Sequence, residues 1–464
     1  MGLTFLLIMC LVAACSFEFI NGFHDTANAV ATVIYTNSLK PRIAVIWSGF
    51  WNFIGVYFGG IAVAMGIVNL LPVEALVDAN MSHGIAMIMS LICTAIIWNL
   101  TNWWFGIPIS SSHSLIGSIF GVGLAFRFLP GSSGVALNWH KVTEVISSLL
   151  TSPFLGFFLA LFIMTILRKI IHNKAIFRTP PQGKTPPLWI RSIMVLACTG
   201  ISFSHGSNDG QKGVGLVMMI LIGIVPGYFA LDLSKSPVGI HNNLVQIEAS
   251  VKNIDTTQLS AIQLQQLHLV NDKTKLLENI VHNTTSYNQI PKEDHFTIRK
   301  EILLLAKGAD GFMSSFSEEG KGFSSQNLNL MKSSVSELRK NTEYAPWWVI
   351  LMISLSLGMG TMIGWKRIVI TVGEKIGKTR LNYAQGATSQ IISALTISAS
   401  SLFGLPVSTT HVLNSGIAGS MVAQKGLNNL QGKTVKSIAL SWVITLPVTA
   451  TLSGSIFLFL RWLL

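Results

Sequence analysis

Charge is what this chain of 464 residues has least of, with Asp, Glu, Lys and Arg together making up 11% of it. A soluble domain carries roughly 25%, so an ordinary water-soluble enzyme is excluded. Cysteine is scarce too. The four present (Cys10, Cys15, Cys93 and Cys198) fall in apolar stretches with no CxxC or Cys/His spacing. That excludes a disulfide framework and a thiolate metal centre and leaves buried reduced thiols. Acids are the rarer charge, 20 against 32 Lys and Arg, for a net +12. Such a balance would suit nucleic-acid binding, but its distribution excludes that reading.

Of the 20 acids, 13 lie between Leu231 and Tyr344 with 12 of the 32 bases, leaving 7 acids and 20 bases elsewhere. Those remaining bases crowd short loops between apolar runs, among them Arg168, Lys169, Lys174, Arg178 and Lys184. Basic loops beside apolar segments are what membrane insertion favours on the cytoplasmic face. The chain therefore reads as an all-α polytopic membrane protein whose main non-protein partner is the lipid bilayer. Val12-Ala13-Ala14-Cys15 has the look of a lipoprotein cleavage box. It lacks a basic region before it, so it reads as part of the first membrane helix.

Apolar runs near the length of about 20 residues that a bilayer needs occur near 3–20, 43–71, 84–101, 145–168, 188–203, 213–230, 347–365, 385–403 and 437–463. Shorter, interrupted ones lie near 22–37, 104–128 and 404–424. The last two carry Gly-x-Pro near their starts, which a continuous helix does not tolerate, so re-entrant or broken segments are expected there. The domain organisation expected is membrane repeat 1 over 1–170, a basic loop over 171–187, the start of repeat 2 over 188–230, a polar helical insert over 231–345, and the rest of repeat 2 over 346–464. The insert shows helical periodicity in Leu264, Leu267, Val270 and Leu277, and again in Ile302, Leu305 and Ala306.

Two motifs recur in the same order. Gly22-Phe23-His24-Asp25-Thr26-Ala27-Asn28 is matched by Gly206-Ser207-Asn208-Asp209-Gly210-Gln211-Lys212, with the aspartates in register. Gly106-Ile107-Pro108-Ile109-Ser110-Ser111-Ser112-His113 is matched by Gly404-Leu405-Pro406-Val407-Ser408-Thr409-Thr410-His411. Duplication with interrupted helices at corresponding places points to a secondary transporter's midplane site. Whether the repeats are inverted or parallel is open at this level.

Glu18, Asp25 and Asp209 are the acids inside strongly apolar stretches, where an unpaired carboxylate costs several kcal/mol and a functional role is the default. Asn28 shares a helix face with Asp25 at i, i+3, and Lys212 stands in the matching place beside Asp209. The ammonium can neutralise Asp209, meet substrate charge or replace a coupling cation; the plainer alternative is a lysine snorkelling at a helix end. The serine- and threonine-rich tips offer hydroxyls and free backbone N–H groups at helix N-termini, which suit a tetrahedral anion. The plainer alternative there is hydroxyls bonded to their own backbone. His24 and His205 titrate near neutral pH when unperturbed, a property useful for proton coupling. A serine nucleophile with His113 as base is disfavoured, because adjacent helical residues point apart, so no enzymatic activity is expected.

At these motifs the sequence resembles the inorganic phosphate transporter (PiT) family, in its bacterial low-affinity branch. The likeness extends to Tyr344-Ala345-Pro346 and to Gly373-Glu374-Lys375-Ile376-Gly377-Lys378. It implies inverted repeats, with phosphate held by Ser110, Ser111, Ser408 and Thr409 between two re-entrant tips. It further implies that Asp25, Asn28 and Asp209 line the cation or proton sites beside two Asp-containing helix breaks, and Lys212, from its place beside Asp209, joins them as a coupling candidate. Glu18, Asn21, His24, Ser112, His113, His205, Asn208, Thr410 and His411 form an outer tier of candidates. The insert would face the cytoplasm and both termini the outside of a bacterial inner membrane. Sodium-driven relatives carry Asn-Asp-x-x-Asn in both halves, whereas the second copy here ends in Lys212. A fixed ammonium suits proton coupling better than Na⁺. The expected function is phosphate import by proton symport, with the phosphate free or complexed to a divalent metal, and with no resident cofactor. Sodium-coupled phosphate or sulfate transport is the nearest alternative, and a membrane phosphate sensor the alternative of another class. A homo-oligomer is compatible with all of them.

Overall fold

The computed structural model describes residues 2–71, 81–129, 139–181, 183–252, 254, 256–319, 324–374 and 376–463. Lys375 and the side chain of Asn28 lie outside the described residues. Among those described, the chain is helical apart from loops and one isolated bridge between Gly377 and Leu430. It divides into two compact units: Met1–Ile220 with Ala345–Leu464, and Leu221–Tyr344.

The first unit opens with α1 (Leu3–Tyr35), then α2 (Pro41–Phe58), α3 (Ala62–Val68), α4 (Met81–Trp104), α5 (Ser111–Arg127), α6 (Trp139–Ile170) and α7 (Leu188–His205). A five-residue π-helical segment, Gly206–Gly210, carries α7 into α8 (Gln211–Ile224). In the second unit follow α9 (Pro226–Phe229), α10 (Pro237–Val251), α11 (Ala261–Val281), α12 (Asp294–Glu319) and α13 (Ser325–Arg339). The first unit resumes with α14 (Trp347–Thr361), α15 (Lys366–Glu374), α16 (Tyr383–Leu402), α17 (Thr409–Lys425) and α18 (Gly432–Leu463).

Among the described residues five helices are long and apolar enough to cross a membrane, or six if the bent pair α2–α3 is one span. Their outward faces are apolar, as with Phe154, Leu155, Phe158 and Phe162 on α6 and Val443 and Phe459 on α18. In water that surface would drive aggregation; in lipid it is the solvent-facing side.

Helix boundaries differ from the hydropathy reading in three places. The runs near 3–20 and 22–37 are one helix of 33 residues, so the break expected at the Asp25 motif is absent. Gly22 marks a close approach instead: a Cβ there would stand 2.5 Å from the Leu357 carbonyl oxygen of α14. The run 43–71 is two helices bent by 71°. The runs 188–203 and 213–230 are joined through the π-helical turn, where backbone pairing is shifted rather than broken.

The two Gly-x-Pro stretches are interrupted helices, and they are built alike. Gly106 and Gly404 take left-handed φ values of 66° and 67°. The N–H groups of Gly106 and Ile107 donate to Trp103 and Asn102, and those of Gly404 and Leu405 to Ser401 and Ser400. This closing pattern satisfies the last carbonyls of α4 and α16. Three extended residues then lead to serine N-caps, Ser110 accepting from the His113 N–H and Ser408 from the His411 N–H, each at 3.1 Å. α5 packs against α18, and α17 against α6.

The second unit has its own core of Leu244, Ile247, Leu267, Val270, Leu277, Ile302, Leu305 and Phe312. Its α11 begins with a Ser260–Gln263 capping box. Arg299, buried inside it, donates to the Ala230 carbonyl at 3.1 Å and the Thr342 carbonyl at 2.5 Å.

Candidate functional site

The π-helical turn places Asn208 and Asp209 at the tip of α17, and each side chain ties that tip down. Asn208 donates to the Ser401 hydroxyl at 2.9 Å and the Leu405 carbonyl at 3.2 Å, and accepts from the Val407 N–H at 3.3 Å. The extended segment before α17 has no helical partners for these groups, so an amide side chain supplies them. Asp209 accepts from the Thr409 hydroxyl at 3.2 Å and from the Lys212 ammonium at 2.5 Å. Lys212 also donates to the Val407 carbonyl at 3.0 Å and to the Ser112 hydroxyl oxygen, and the Ser112 O–H in turn donates to that same carbonyl. One ammonium thus links the π turn, the tip of α5 and the tip of α17.

Asp25 reaches the same centre from the unbroken α1. Its Oδ1 accepts from the Thr410 hydroxyl at 2.7 Å and meets the His24 Nδ1 at 3.2 Å. Between the two aspartates stands His205, its Nε2 3.3 Å from Asp209 Oδ2 and 3.8 Å from Asp25 Oδ2. Nδ1 of that ring pairs with Asn52 Oδ1 at 2.9 Å, and Asn52 donates to Thr361 at 3.0 Å. All of these groups are buried, with Asp25, Asp209 and Lys212 exposed by 2% or less. Carboxylates so placed need compensation: Lys212 pairs with Asp209, and the imidazoles of His24 and His205 stand against Asp25 and Asp209.

The expected residues divide clearly. Asp25, Asp209, Lys212, His24, His205, Asn208, Ser112, Thr409 and Thr410 converge on one centre. Glu18 bonds Asn21 at 3.2 Å and leans on the neighbouring Gly213, whose position a Cβ would bring to 2.3 Å from the Glu18 Cγ. Of the four hydroxyls expected on phosphate, Ser110 and Ser408 act as helix caps and Thr409 is held by Asp209. Ser111 is buried with no protein hydrogen-bond partner on its hydroxyl, as are the outer nitrogen of His24 and one oxygen each of Glu18 and Asn21. His113 and His411 lie ring against ring, with centroids 4.4 Å apart, and His411 stacks on Trp442 at 3.9 Å. Both rings pack at the tips.

Sequence reasoning missed three contributors. Asn52 orients His205. Gln211 accepts from the Val63 N–H at 2.8 Å and donates to the Gly59 carbonyl at 2.7 Å, satisfying backbone at the α2–α3 bend. The Val407 carbonyl collects Lys212 and Ser112. The only available signal was a polar residue in an apolar run, and that does not name its partner.

Chemically the centre sets an imidazole between two carboxylates, Asp25–His205–Asp209, beside the Lys212 ammonium and two helix N-termini able to donate to an anion. The ligand atoms of Asp25, His205 and Asp209 lie within 4.8 Å of one another.

Fold and site together define a polytopic, all-helical membrane protein with a buried, charge-compensated centre between two helix interruptions. The sequence pattern of the phosphate transporter family matches residues 21–453, and the chain belongs to that family. It is 39% identical to the low-affinity inorganic phosphate transporter PitB of Escherichia coli (strain K12), over 97% of this chain and 96% of that protein. It is 41% identical to the low-affinity inorganic phosphate transporter of Buchnera aphidicola subsp. Acyrthosiphon pisum, over 96% and 94%. Among solved structures, the sodium-dependent phosphate transporter matches with a TM-score of 0.56 at 20% identity, over 99% of this chain and all of that one. That likeness shows a shared fold. The family is one of transporters, not of enzymes.

Proposed function

We propose that the protein imports inorganic phosphate as a proton symporter of the bacterial inner membrane. The observation that carries this reading is the position of Lys212, whose ammonium bonds Asp209 and both interrupted-helix tips at once. A fixed cation there leaves little electrostatic room for Na⁺, while the Asp25–His205–Asp209 series can take up and release a proton. Phosphate would enter between the tips, drawing on the Ser111 hydroxyl and exchanging with the aspartates for the hydroxyls of Thr409 and Thr410. A protonated phosphate oxygen can donate to Asp25 or Asp209, which sulfate cannot do, and this favours phosphate. Ser110 and Ser408 would hold the tips in shape rather than touch the anion. The like-built tips and matched motifs support two repeats rocking around the centre in alternating access. A divalent metal travelling with phosphate would find carboxylate and imidazole ligands in the same series.

The sodium alternative is favoured by the named coupling of the structural relative, and it is directly testable. Uptake of labelled phosphate into proteoliposomes at fixed pH should not change when Na⁺ replaces K⁺, and excess sulfate should compete weakly. A steep rise with Na⁺ would overturn the proton assignment.

A further inference from the structure

The second unit holds a cluster that phosphate transport does not use. His241 lies on α10, Glu278 on the last turn of α11, and His282 caps that helix. His241 Nδ1 stands 2.7 Å from Glu278 Oε1, and His282 Nδ1 stands 3.2 Å from the same oxygen. The two imidazoles meet edge to face with centroids 5.8 Å apart. A plain ion pair would explain one histidine on the carboxylate. It does not explain two imidazoles from different helices presenting the same ring nitrogen to one oxygen. The short His241 contact also lacks hydrogen-bond alignment, and Glu278 Oε2 is buried with no hydrogen-bond partner.

We propose that His241, Glu278 and His282 form a transition-metal site of the zinc class on the insert. One ligand atom from each lies within 4.8 Å of the others. Tetrahedral Zn²⁺ with ligand bonds of about 2.0–2.1 Å spaces its donors by roughly 3.4 Å, so small side-chain rotations close the set. Two imidazoles and a carboxylate select zinc-like ions over Mg²⁺ or Ca²⁺, which prefer oxygen alone. The fourth position faces solvent, since His282 is 59% exposed, and would take water. The 278–282 spacing puts two ligands one turn apart, and His241 makes the ion a clasp between α10 and α11.

The test is metal binding to the purified full-length protein, using Zn²⁺ for stoichiometry and Co²⁺ for its visible spectrum. The wild type should show an intense tetrahedral Co²⁺ band that Zn²⁺ abolishes. H241A/H282A should lose about one equivalent of Zn²⁺ per chain and the band, while eluting from size exclusion like the wild type. E278Q, which keeps both imidazoles and the side-chain volume, should bind more weakly and shift the band. D209N separates this site from the membrane centre: it should keep the insert's band. Unchanged spectra and stoichiometry in H241A/H282A, or loss of the band in D209N instead, would overturn the assignment.

Discussion

Replacing Lys212 by Met removes the ammonium that joins the π turn to both tips while roughly keeping side-chain length. The residue is 1% exposed and its side chain makes three hydrogen bonds, one of them to Asp209. Breaking one partner of a buried ion pair costs about 3–5 kcal/mol, chiefly because the other charge is stranded. With roughly 2 cal/mol/K of unfolding entropy per residue over a unit of about 340 residues, that lowers the melting temperature by about 4–7 °C. D209N strands the ammonium and should cost a similar amount. The double variant K212M/D209N strands neither charge, so it should recover much of the stability while phosphate uptake stays lost. Melting of the detergent-solubilised protein by fluorescence-detected size exclusion reads the first quantity, and proteoliposome uptake the second. If K212M melts like the wild type, or if the two losses simply add, Lys212 does not hold Asp209 as described.

Three further outcomes follow from individual contacts. T410V deletes the donor to Asp25 and should lower uptake efficiency about 10- to 100-fold, the worth of one hydrogen bond to a charged group. N208A removes three bonds that shape the α17 tip, so melting should report a loss of about 2–4 kcal/mol with uptake falling in parallel. R299M cuts the buried guanidinium from the Ala230 and Thr342 carbonyls, where burial has already pushed its pKa down to about 10. Limited proteolysis should then cleave the insert faster than in the wild type.

Much of the fold was legible because lipid imposes long apolar runs, and because Gly-x-Pro announces where a helix must stop. Gly106 and Gly404 were readable as interruptions since only glycine accepts the left-handed turn cheaply. The break at the Asp25 motif was implied only by the family resemblance; α1 runs through it, and Gly22 serves contact with the α14 backbone. Asp25, Asp209 and Lys212 were legible from the cost of burying charge. Their partners were not, because Thr410 lies 385 residues from Asp25 and the Val407 carbonyl 195 from Lys212. Backbone carbonyls carry no sequence signature. Nor does the division of labour among hydroxyls: Ser110 and Ser111 look alike in the motif, but one caps α5 and the other is left without a protein partner.

The central claim is that proton flow through Asp25, His205 and Asp209 drives phosphate inward. Its most direct test is accumulation of ³²P-phosphate in proteoliposomes under an imposed pH gradient, acid outside, with no Na⁺ present. The account predicts uptake against the phosphate gradient that a protonophore collapses and D209N abolishes. Accumulation indifferent to the pH gradient, or fully retained in D209N, would contradict it.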